Sequence, residues 1–599
     1  MLVSRLLTAM LIIGSILTSP AYAISESERA MQLYDAIYDE AVDRDPVWQT
    51  YLGIKKDYDK WNDLSEQFLL AEVNHAKKNL QRLATIDTAQ LTPQALLSHQ
   101  LLSLNLQNHI TDYPWRHHSY PVNQMFGTHS EIPAFLINQH SIANRKEALD
   151  YIARVAASQH LLAQLIEQLK IREAKGIIAP SFVFPHIIRD AKNLISGQPF
   201  SEGADSALLA DFTSKLKPLQ LSNTETAALL KQLKQALLTQ LQPGYQQLIA
   251  YLQILQQKSD SRAGVWKLPE GEAFYNNALA RTTTTTLTAH QIHTLGLQEV
   301  ARIHDEMRAI MQRLKFNGSL QDFFTFMRDD PQFYYPSTKL GRQQYLTEAT
   351  ALIDDMEGRL EQLFLTLPKA PLKVKRVEIF REKSAGKAFY QMPAPDGSRP
   401  GIYYANLHDM ASMPSYQMAA LAYHEGIPGH HMQIAIKQEM DSLPKFRKFE
   451  GYTAYTEGWG LYAEMLPKEL GLYQDPYADF GRLAMELWRA CRLVVDTGIH
   501  AKRWTRQQGI DYYANNTPNA LADAVKMVER HIVMPSQATA YKIGMLKIIE
   551  LRAKARLALG GKFDIREYHD VLLLNGAVPL TVLETLVDSY IAKQLSPAH

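Results

Sequence analysis

The stretch from Tyr423 to His431 holds three imidazoles and one carboxylate within nine residues, in a sequence that a regular α-helix cannot accommodate. An apolar, helix-forming segment, Met418 to Leu421, leads into it. Pro428 lacks a helical N–H and clashes with the preceding turn, and the glycines at 426 and 429 permit backbone angles that other residues avoid. The sequence therefore predicts a helix that breaks inside this stretch. Imidazoles beside a carboxylate further predict a zinc site there.

The spacing of the histidines departs from the common zinc-peptidase pattern, His-Glu-x-x-His, in which the two rings lie about 40° apart around one helix. Here Pro428 occupies the place of the second histidine. In a regular helix His430 would lie roughly 240° around from His424, and His431 about 10.5 Å along the axis. A bulge or wide turn must therefore bring one of these two histidines back towards His424. We predict His424 and His430 as ligands, with His431 turned to a supporting or substrate-facing position. The alternatives are that His431 is the second ligand, or that the histidines only fill a kinked helix.

Four sequence blocks resemble a large bacterial family known as domain of unknown function 885, and this resemblance spans most of the chain after residue 23. The blocks are His-Glu-Gly-x-Pro-Gly-His-His at 424–431, Glu457–Gly460, Arg492–Gly498, and Pro535–Gly544, with Ser536 where glycine is expected. The resemblance implies a mainly α, large helical, zincin-like fold of the gluzincin type, distantly related to angiotensin-converting enzyme and the thermostable carboxypeptidases. It implies a zinc metallohydrolase and names no substrate.

A catalytic zinc ion usually has three protein ligands and one water, so a third ligand is needed. A helix is predicted over Thr453 to Leu466, and the resemblance together with the glycines at 458 and 460 favours Glu457. Glu464 lies about 10.5 Å further along that helix, too far to share the ion, and is predicted to orient a histidine. The alternative, a solvated glutamate face, does not fit the aromatic residues beside it. Glu425 is predicted to be the general base.

Three further residues are candidates for substrate or transition-state contacts. Tyr541 lies in the last resembling block and is a candidate donor to the oxyanion, a role that tyrosine or histidine has in related enzymes; packing is the equal alternative. Gln537 is a candidate substrate contact from the same segment. Tyr404 lies in a predicted strand, Ile402 to Asn406, which we expect at a sheet edge where it could pair with an extended peptide. An ordinary core strand is the alternative.

Arg492, Asp496 and His500 are four residues apart in a predicted long helix, so they form one stripe. An internal ion-pair network is the commoner meaning of such spacing, and we favour it. The alternative is that Arg492 binds the terminal carboxylate of a peptide, since guanidinium groups bind carboxylates in a bidentate manner.

The sequence pattern predicts helices in the rest of the chain, apart from a β-rich segment just before the histidine motif. Its predicted strands are Val374 to Phe380, Ala388 to Met392 and Ile402 to Asn406. We expect a helical N-terminal region at 24–257 and a catalytic region at 258–599, fused into one body. Pro243-Gly244 is expected to form a turn within the helical pattern of 227–255.

Residues 1–23 are typical of a secretory signal: Arg5, an apolar core from Leu6 to Leu17, and a cleavage site at Ala21-Tyr22-Ala23. The net charge is +1, and without Arg5 it is 0, which argues against nucleic acid or an anionic membrane as the main partner. The only cysteine, Cys491, excludes an intramolecular disulfide and leaves no lipid-attachment cysteine after the signal. We expect a periplasmic protein, without stable membrane insertion, that begins at Ile24.

The leading functional hypothesis is a zinc peptidase of the carboxypeptidase or oligopeptidase type, acting on short peptides in a deep cleft. A second hypothesis keeps Zn²⁺ but changes the substrate to a non-peptide amide or cell-wall fragment. A third is a periplasmic binding protein with a structural or degenerate zinc site. A structural site normally has four protein ligands, whereas a catalytic site leaves one position open.

Overall fold

The computed structural model describes residues 24–378, 382, 386–394, 397 and 399–596. The expected signal segment, residues 1–23, lies outside this range. Within it the chain is mainly α-helical, with one small β-sheet, as the sequence predicts. None of the helices in these ranges has the length and apolar character needed to cross a bilayer.

The part of the chain before the sheet consists of fourteen α-helices among the described residues. Many begin at a Ser, Thr, Asp or Asn whose side chain accepts a hydrogen bond from the first turn; Thr288, for example, forms a capping box with Gln291. The helices are α1 (Glu26–Val42), α2 (Pro46–Tyr51), α3 (Glu66–Leu83), α4 (Pro93–Asp112), α5 (Thr128–Asn138), α6 (Arg145–Ala174), α7 (Val183–Leu194), α8 (Ala207–Leu216), α9 (Asn223–Ala236), α10 (Gln242–Lys258), α11 (Gly271–Thr283), α12 (Ala289–Arg313), α13 (Leu320–Asp329) and α14 (Lys339–Glu357).

The turn expected at Pro243-Gly244 is absent, and that prediction is wrong. The chain stays helical from α9 into α10 through one π-helical turn, Leu237–Leu241. Pro243 lies in the first turn of α10, where its missing N–H has little consequence. The π-helical turn absorbs the irregularity without reversing the chain.

The sheet consists of β1 (Leu372–Arg376), β2 (Ala388–Gln391) and β3 (Gly401–Ala405), in the order β1-β3-β2. The three predicted strands are thus confirmed at 372–376, 388–391 and 401–405, while positions 379 and 380 of the first lie outside the described residues. β3 pairs in parallel with β1 and antiparallel with β2.

Because β3 has a neighbour on each side, the expectation that it is an edge strand is wrong. Its main-chain groups are directed into the sheet on both sides and cannot pair with a peptide. All five residues of β3 are buried, and the ring of Tyr404 stacks on Phe389 with centroids 5.0 Å apart. Tyr404 is therefore in a core strand.

Ten α-helices follow the sheet among the described residues, and two of them flank the break in the histidine motif. They are α15 (Met418–Glu425), α16 (His430–Glu439), α17 (Lys445–Phe449), α18 (Thr453–Glu469), α19 (Pro476–Ala501), α20 (Arg506–Asn516), α21 (Leu521–Val533), α22 (Ala540–Leu559), α23 (Ile565–Leu573) and α24 (Leu580–Leu595). The long helix α19 is buried along almost its whole length and packs against α12, α15 and α21. It is the central element of this half.

The two halves of the chain share one hydrophobic core. A continuous cluster of buried side chains extends from α1 to α24 and includes residues of α6, α10, α18 and α22. Polar contacts also join the halves: Arg447 donates to the Ser98 hydroxyl (3.0 Å), and Lys445 pairs with Asp39 (2.7 Å).

Candidate metal centre

The helix break predicted in the histidine motif is confirmed. Helix α15 ends at Glu425, Gly426 to Gly429 form a connecting loop, and α16 begins at His430. The loop contains a cis peptide bond before Pro428. The Trp459 indole N–H, on α18, donates to the carbonyls of Pro428 (2.9 Å) and Gly429 (3.2 Å). The loop is therefore attached to the helix that also carries Glu457.

The break brings together the three residues predicted as ligands. Nε2 of His424 and Nε2 of His430 each lie 3.6 Å from Oε2 of Glu457, and one ligand atom from each residue lies within 4.8 Å of the others. Two ligands bonded at about 2.0–2.1 Å to one tetrahedral zinc ion are separated by about 3.3 Å. The donor types and their separations therefore fit a zinc ion, and the assignment as ligands remains a prediction.

His424 is held by two features of α18. Its Nδ1–H donates to Oε1 of Glu464 (2.8 Å), so when the ring is neutral its lone pair lies on Nε2, which faces Glu457. Gly460 provides the space for the ring, because a Cβ atom there would lie 2.8 Å from Cε1 of His424. Glu464 in turn lies 3.5 Å from Nη2 of Arg489 on α19. The position of this imidazole is thus fixed from both helices.

The electrostatics of the cluster favour a cation. Burial lowers the pKa of His424, but Glu457 and Glu464 outweigh that effect and raise it to about 10. Burial likewise raises the pKa of Glu457, yet His424 and His430 hold it well below its usual range. Two imidazoles thus face the negative charge of two carboxylates, with Glu425 as a third nearby.

Glu425 is the last residue of α15 and is 8% exposed. Its charge contributes, after burial and Tyr345, to raising the pKa of Tyr403 on β3. It follows His424 directly, so it lies beside the candidate ligands without being one of the three. This position suits a proton acceptor at the centre.

The two adjacent histidines of α16 have different surroundings. His430 faces Glu457, with its Nδ1 2.9 Å from the side-chain amide of Gln433, which also donates to the Thr456 carbonyl. His431 points to the sheet: Nε2–H donates to the Ala370 carbonyl and Nδ1 accepts from the Tyr390 hydroxyl, both at 2.9 Å. Both nitrogens of His431 are therefore engaged by the protein.

Tyr541 lies on α22, which packs closely against α18. A Cβ atom at Gly458, next to Glu457, would lie 2.5 Å from Cα of Gly544, one turn after Tyr541. The two backbones therefore touch, and Tyr541 is 8% exposed near this crossing. Gln537 lies in the 3₁₀ turn before α22, where its side-chain oxygen accepts from Arg530 (3.0 Å).

The stripe on α19 does not form the ion-pair network that the spacing favours. Oδ1 of Asp496 accepts from the Tyr275 hydroxyl (2.6 Å) and from the Ser536 N–H (3.1 Å), and Oδ2 lies 3.5 Å from Nδ1 of His531. His500 accepts from the Val265 N–H (3.2 Å) and donates to the His531 carbonyl (2.9 Å). The ring of Tyr541 lies 4.4 Å below the Arg492 guanidinium carbon.

Asp496 also explains why glycine is expected at position 536. Ser536 adopts φ +70°, a left-handed conformation that favours glycine, and it is in this conformation that its N–H donates to Asp496.

Sequence reasoning missed four residues around the centre. Gln433 is one turn after His430, and Arg489 is one turn before Arg492, so helical spacing could have indicated both. Tyr390 and Tyr403 come from strands, and their places depend on strand order, for which the sequence carries no local signal.

The chain is similar to proteins whose function is not assigned. The profile of a family described as bacterial protein of unknown function (DUF885) matches residues 46–587. A solved structure from Colwellia psychrerythraea, described as a "putative lipoprotein", is 32% identical with a TM-score of 0.85, covering 95% of this chain and 100% of that chain. One from Shewanella oneidensis, described as a "putative lipoprotein of unknown function", is 19% identical with a TM-score of 0.73, covering 94% and 100%. No curated protein matches the sequence.

Proposed function

We propose that this chain, which belongs to the bacterial DUF885 family of proteins of unknown function, is a zinc-dependent hydrolase that cleaves short peptides. The proposal includes a distant relationship to the zincin peptidases and action of the carboxypeptidase or oligopeptidase type. The observation that carries it is the convergence of His424, His430 and Glu457 directly beside Glu425. Three ligands with an adjacent carboxylate are typical of a catalytic zinc site, whereas a structural site normally has four.

The ligands His424, His430 and Glu457 would hold the ion, and Glu464 would keep the lone pair of His424 directed at it. A bound zinc ion supplies a Lewis acid that activates water and polarises a carbonyl group. Glu425 takes the proton of the attacking water on its carboxylate and passes it to the nitrogen of the leaving amine. The Tyr541 hydroxyl donates to the oxyanion of the substrate.

Export completes the proposal. Residues 1–23 have the pattern of a cleaved signal, and the two similar structures belong to proteins described as lipoproteins, which are exported. We propose that the mature protein begins at Ile24 and acts in the periplasm.

The test combines metal analysis with hydrolysis of a peptide library. The purified protein should contain about one zinc per chain, and a chelator should abolish hydrolysis until zinc is restored. Glu425→Gln should keep the zinc and lose activity by about 100-fold or more. The exposed Glu361→Gln is the matched control and should keep both.

Four results would contradict this proposal. Full activity of Glu425→Gln, or loss of its zinc, would give Glu425 another role. Hydrolysis of non-peptide amides but of no peptide would change the substrate class, and zinc without any hydrolysis would indicate a binding protein.

A further inference from the structure

Arg492 is a buried cation whose hydrogen-bonding capacity is largely unused. It lies in the middle of α19 and is 6% exposed. Among the described residues, its Nε and Nη1 atoms, both inaccessible to solvent, have no hydrogen-bond partner. A guanidinium group has five N–H donors, and leaving buried donors unpaired is costly, so such an arrangement usually has a ligand to account for it.

The acid that the sequence offers as its partner makes its hydrogen bonds elsewhere. Asp496, one turn along α19, receives hydrogen bonds from Tyr275 and Ser536 on Oδ1. Its Oδ2 lies 3.5 Å from Nδ1 of His531 and has no hydrogen-bond partner among the described residues. The described contact of Arg492 is with an aromatic ring, since its guanidinium carbon lies 4.4 Å from the Tyr541 ring centroid. Stacking on a ring fixes the plane of the guanidinium.

Two series of contacts connect Arg492 with the candidate metal centre. On one side, His424 bonds to Glu464, Glu464 lies 3.5 Å from Arg489, and Arg489 is one turn before Arg492 on α19. On the other side, the Arg492 guanidinium stacks on the Tyr541 ring of α22. Gly544, one turn after Tyr541, contacts Gly458, which is next to Glu457.

We propose that Arg492 binds the terminal carboxylate of a peptide substrate, so that the enzyme acts on the carboxyl end of short peptides. This inference rests on the proposed peptidase function. A carboxylate matches the planar, bidentate edge that the stacked guanidinium presents, and it supplies the missing charge. A buried aspartate or glutamate side chain of the substrate has the same chemistry, so the terminal group must be distinguished from it by experiment.

The test compares peptides that differ only at the carboxyl end. Each sequence is prepared as the free acid and as the terminal amide, and one pair also carries an internal glutamate. The zinc-loaded wild type should prefer the free acid by about 10- to 100-fold in kcat/KM, because a charge-assisted bidentate contact is lost in the amide. The internal glutamate should not restore hydrolysis of the amide.

Variants assign the preference to Arg492. Arg492→Gln should lose the free-acid preference, mainly through a higher KM for the free acid. Arg492→Lys should keep only part of the preference, since lysine cannot bind in a bidentate manner. Arg308→Gln, at an exposed position of α12, is the control and should behave as the wild type.

Binding is also measured by calorimetry in the Glu425→Gln background, which separates this inference from the proposed function. Free-acid peptides should bind about 10- to 100-fold more tightly than amides, and Arg492→Gln should remove that difference. If no peptide is hydrolysed but the binding preference is present, the peptidase proposal fails and the carboxylate site stands. The inference would be overturned if the wild type used free-acid and amide peptides equally well. It would also be overturned if Arg492→Gln or Arg492→Lys lowered kcat/KM by the same factor for both.

Discussion

The molecule contains two buried groups of histidines and carboxylates that look alike in sequence but differ in how their nitrogens are used. In the first, the metal cluster of His424, His430 and Glu457, two Nε2 atoms face one carboxylate oxygen at 3.6 Å. In the second, the helix cluster of Asp496, His500 and His531, each ring bonds to other parts of the protein. In the first cluster two imidazole nitrogens converge on one carboxylate oxygen, whereas in the second only Nδ1 of His531 faces Asp496, at 3.5 Å from Oδ2.

The pKa values of the histidines are shifted in opposite directions in the two clusters. In the metal cluster Glu457 and Glu464 overcome burial and raise the pKa of His424 to about 10. In the helix cluster burial prevails, and the pKa values of His500 and His531 are lowered. The first cluster therefore favours positive charge and the second excludes it. The comparison teaches that convergence of nitrogens and carboxylates, rather than proximity of histidines, distinguishes a metal centre from a structural cluster.

The sharpest test exploits the adjacent histidines of α16. His430→Ala should weaken zinc binding by well over 100-fold, because it removes a predicted ligand, whereas removal of a group that only supports a ligand costs about 10–100-fold. His431→Ala should weaken it by less than His430→Ala, since the nitrogens of His431 bond to Ala370 and Tyr390. Zinc affinity is measured by competition with a chromophoric chelator. Tighter zinc binding by His430→Ala than by His431→Ala would show that the wrong histidine was assigned.

A second test compares the carboxylate beside a histidine in each cluster. Glu464→Gln should weaken zinc binding by about 10–100-fold, because the Nδ1–H of His424 loses its charged acceptor. Asp496→Asn should leave zinc affinity unchanged and lower the free energy of unfolding by about 1–3 kcal/mol, because two buried hydrogen bonds lose their charged acceptor. Urea unfolding and chelator competition measure the two quantities. Equal zinc affinities of the two variants would erase the distinction between the clusters.

The smallest expected effect is the pH dependence of stability that the helix cluster confers. The pKa of His500 is lowered by burial, so below about pH 6.5 the unfolded state takes up a proton that the folded state does not. The stabilisation is complete above that pH and is lost as the pH falls towards the folded pKa, by at most about 1.4 kcal/mol per pH unit.

His500→Gln should flatten this dependence between pH 6.5 and 5, while zinc affinity at pH 7.5 stays unchanged. Urea unfolding at several pH values measures the slope, and the exposed His290→Gln is the control. A slope in His500→Gln as steep as in the control would show that this imidazole is not held neutral.

Local sequence signals predicted the elements of the fold well and their arrangement poorly. The composition of the β-rich segment located all three strands. Strand order, however, depends on long-range pairing, and in the observed order Tyr404 lies in the central strand instead of an edge strand. Pro243 was expected to end a helix, yet a π-helical turn accommodates it. Pro428 and the glycines at 426 and 429 predicted the helix break before His430, because their effects on the backbone are local.

For the candidate site, contacts between predicted helices could be foreseen, whereas contacts with elements distant in sequence could not. The spacing of Arg492 and Asp496 favours an ion pair, but Tyr275 and Ser536, distant in sequence, occupy the aspartate. The contact of Glu464 with His424 follows from the predicted positions of two helices, whereas the contact of His431 with Tyr390 requires knowledge of the sheet.

The hydrogen bonds from the Trp459 indole to the loop at 428–429 have a consequence for the thermodynamics of metal binding. They join the loop that separates the two histidines to the same helix that supplies the glutamate. The three ligand residues are thereby held at a high effective concentration before any ion arrives. The entropy cost of bringing the three predicted ligands together thus arises during folding, before an ion binds. Occupancy of the centre by a metal ion would then report how completely α15, α16 and α18 have packed together.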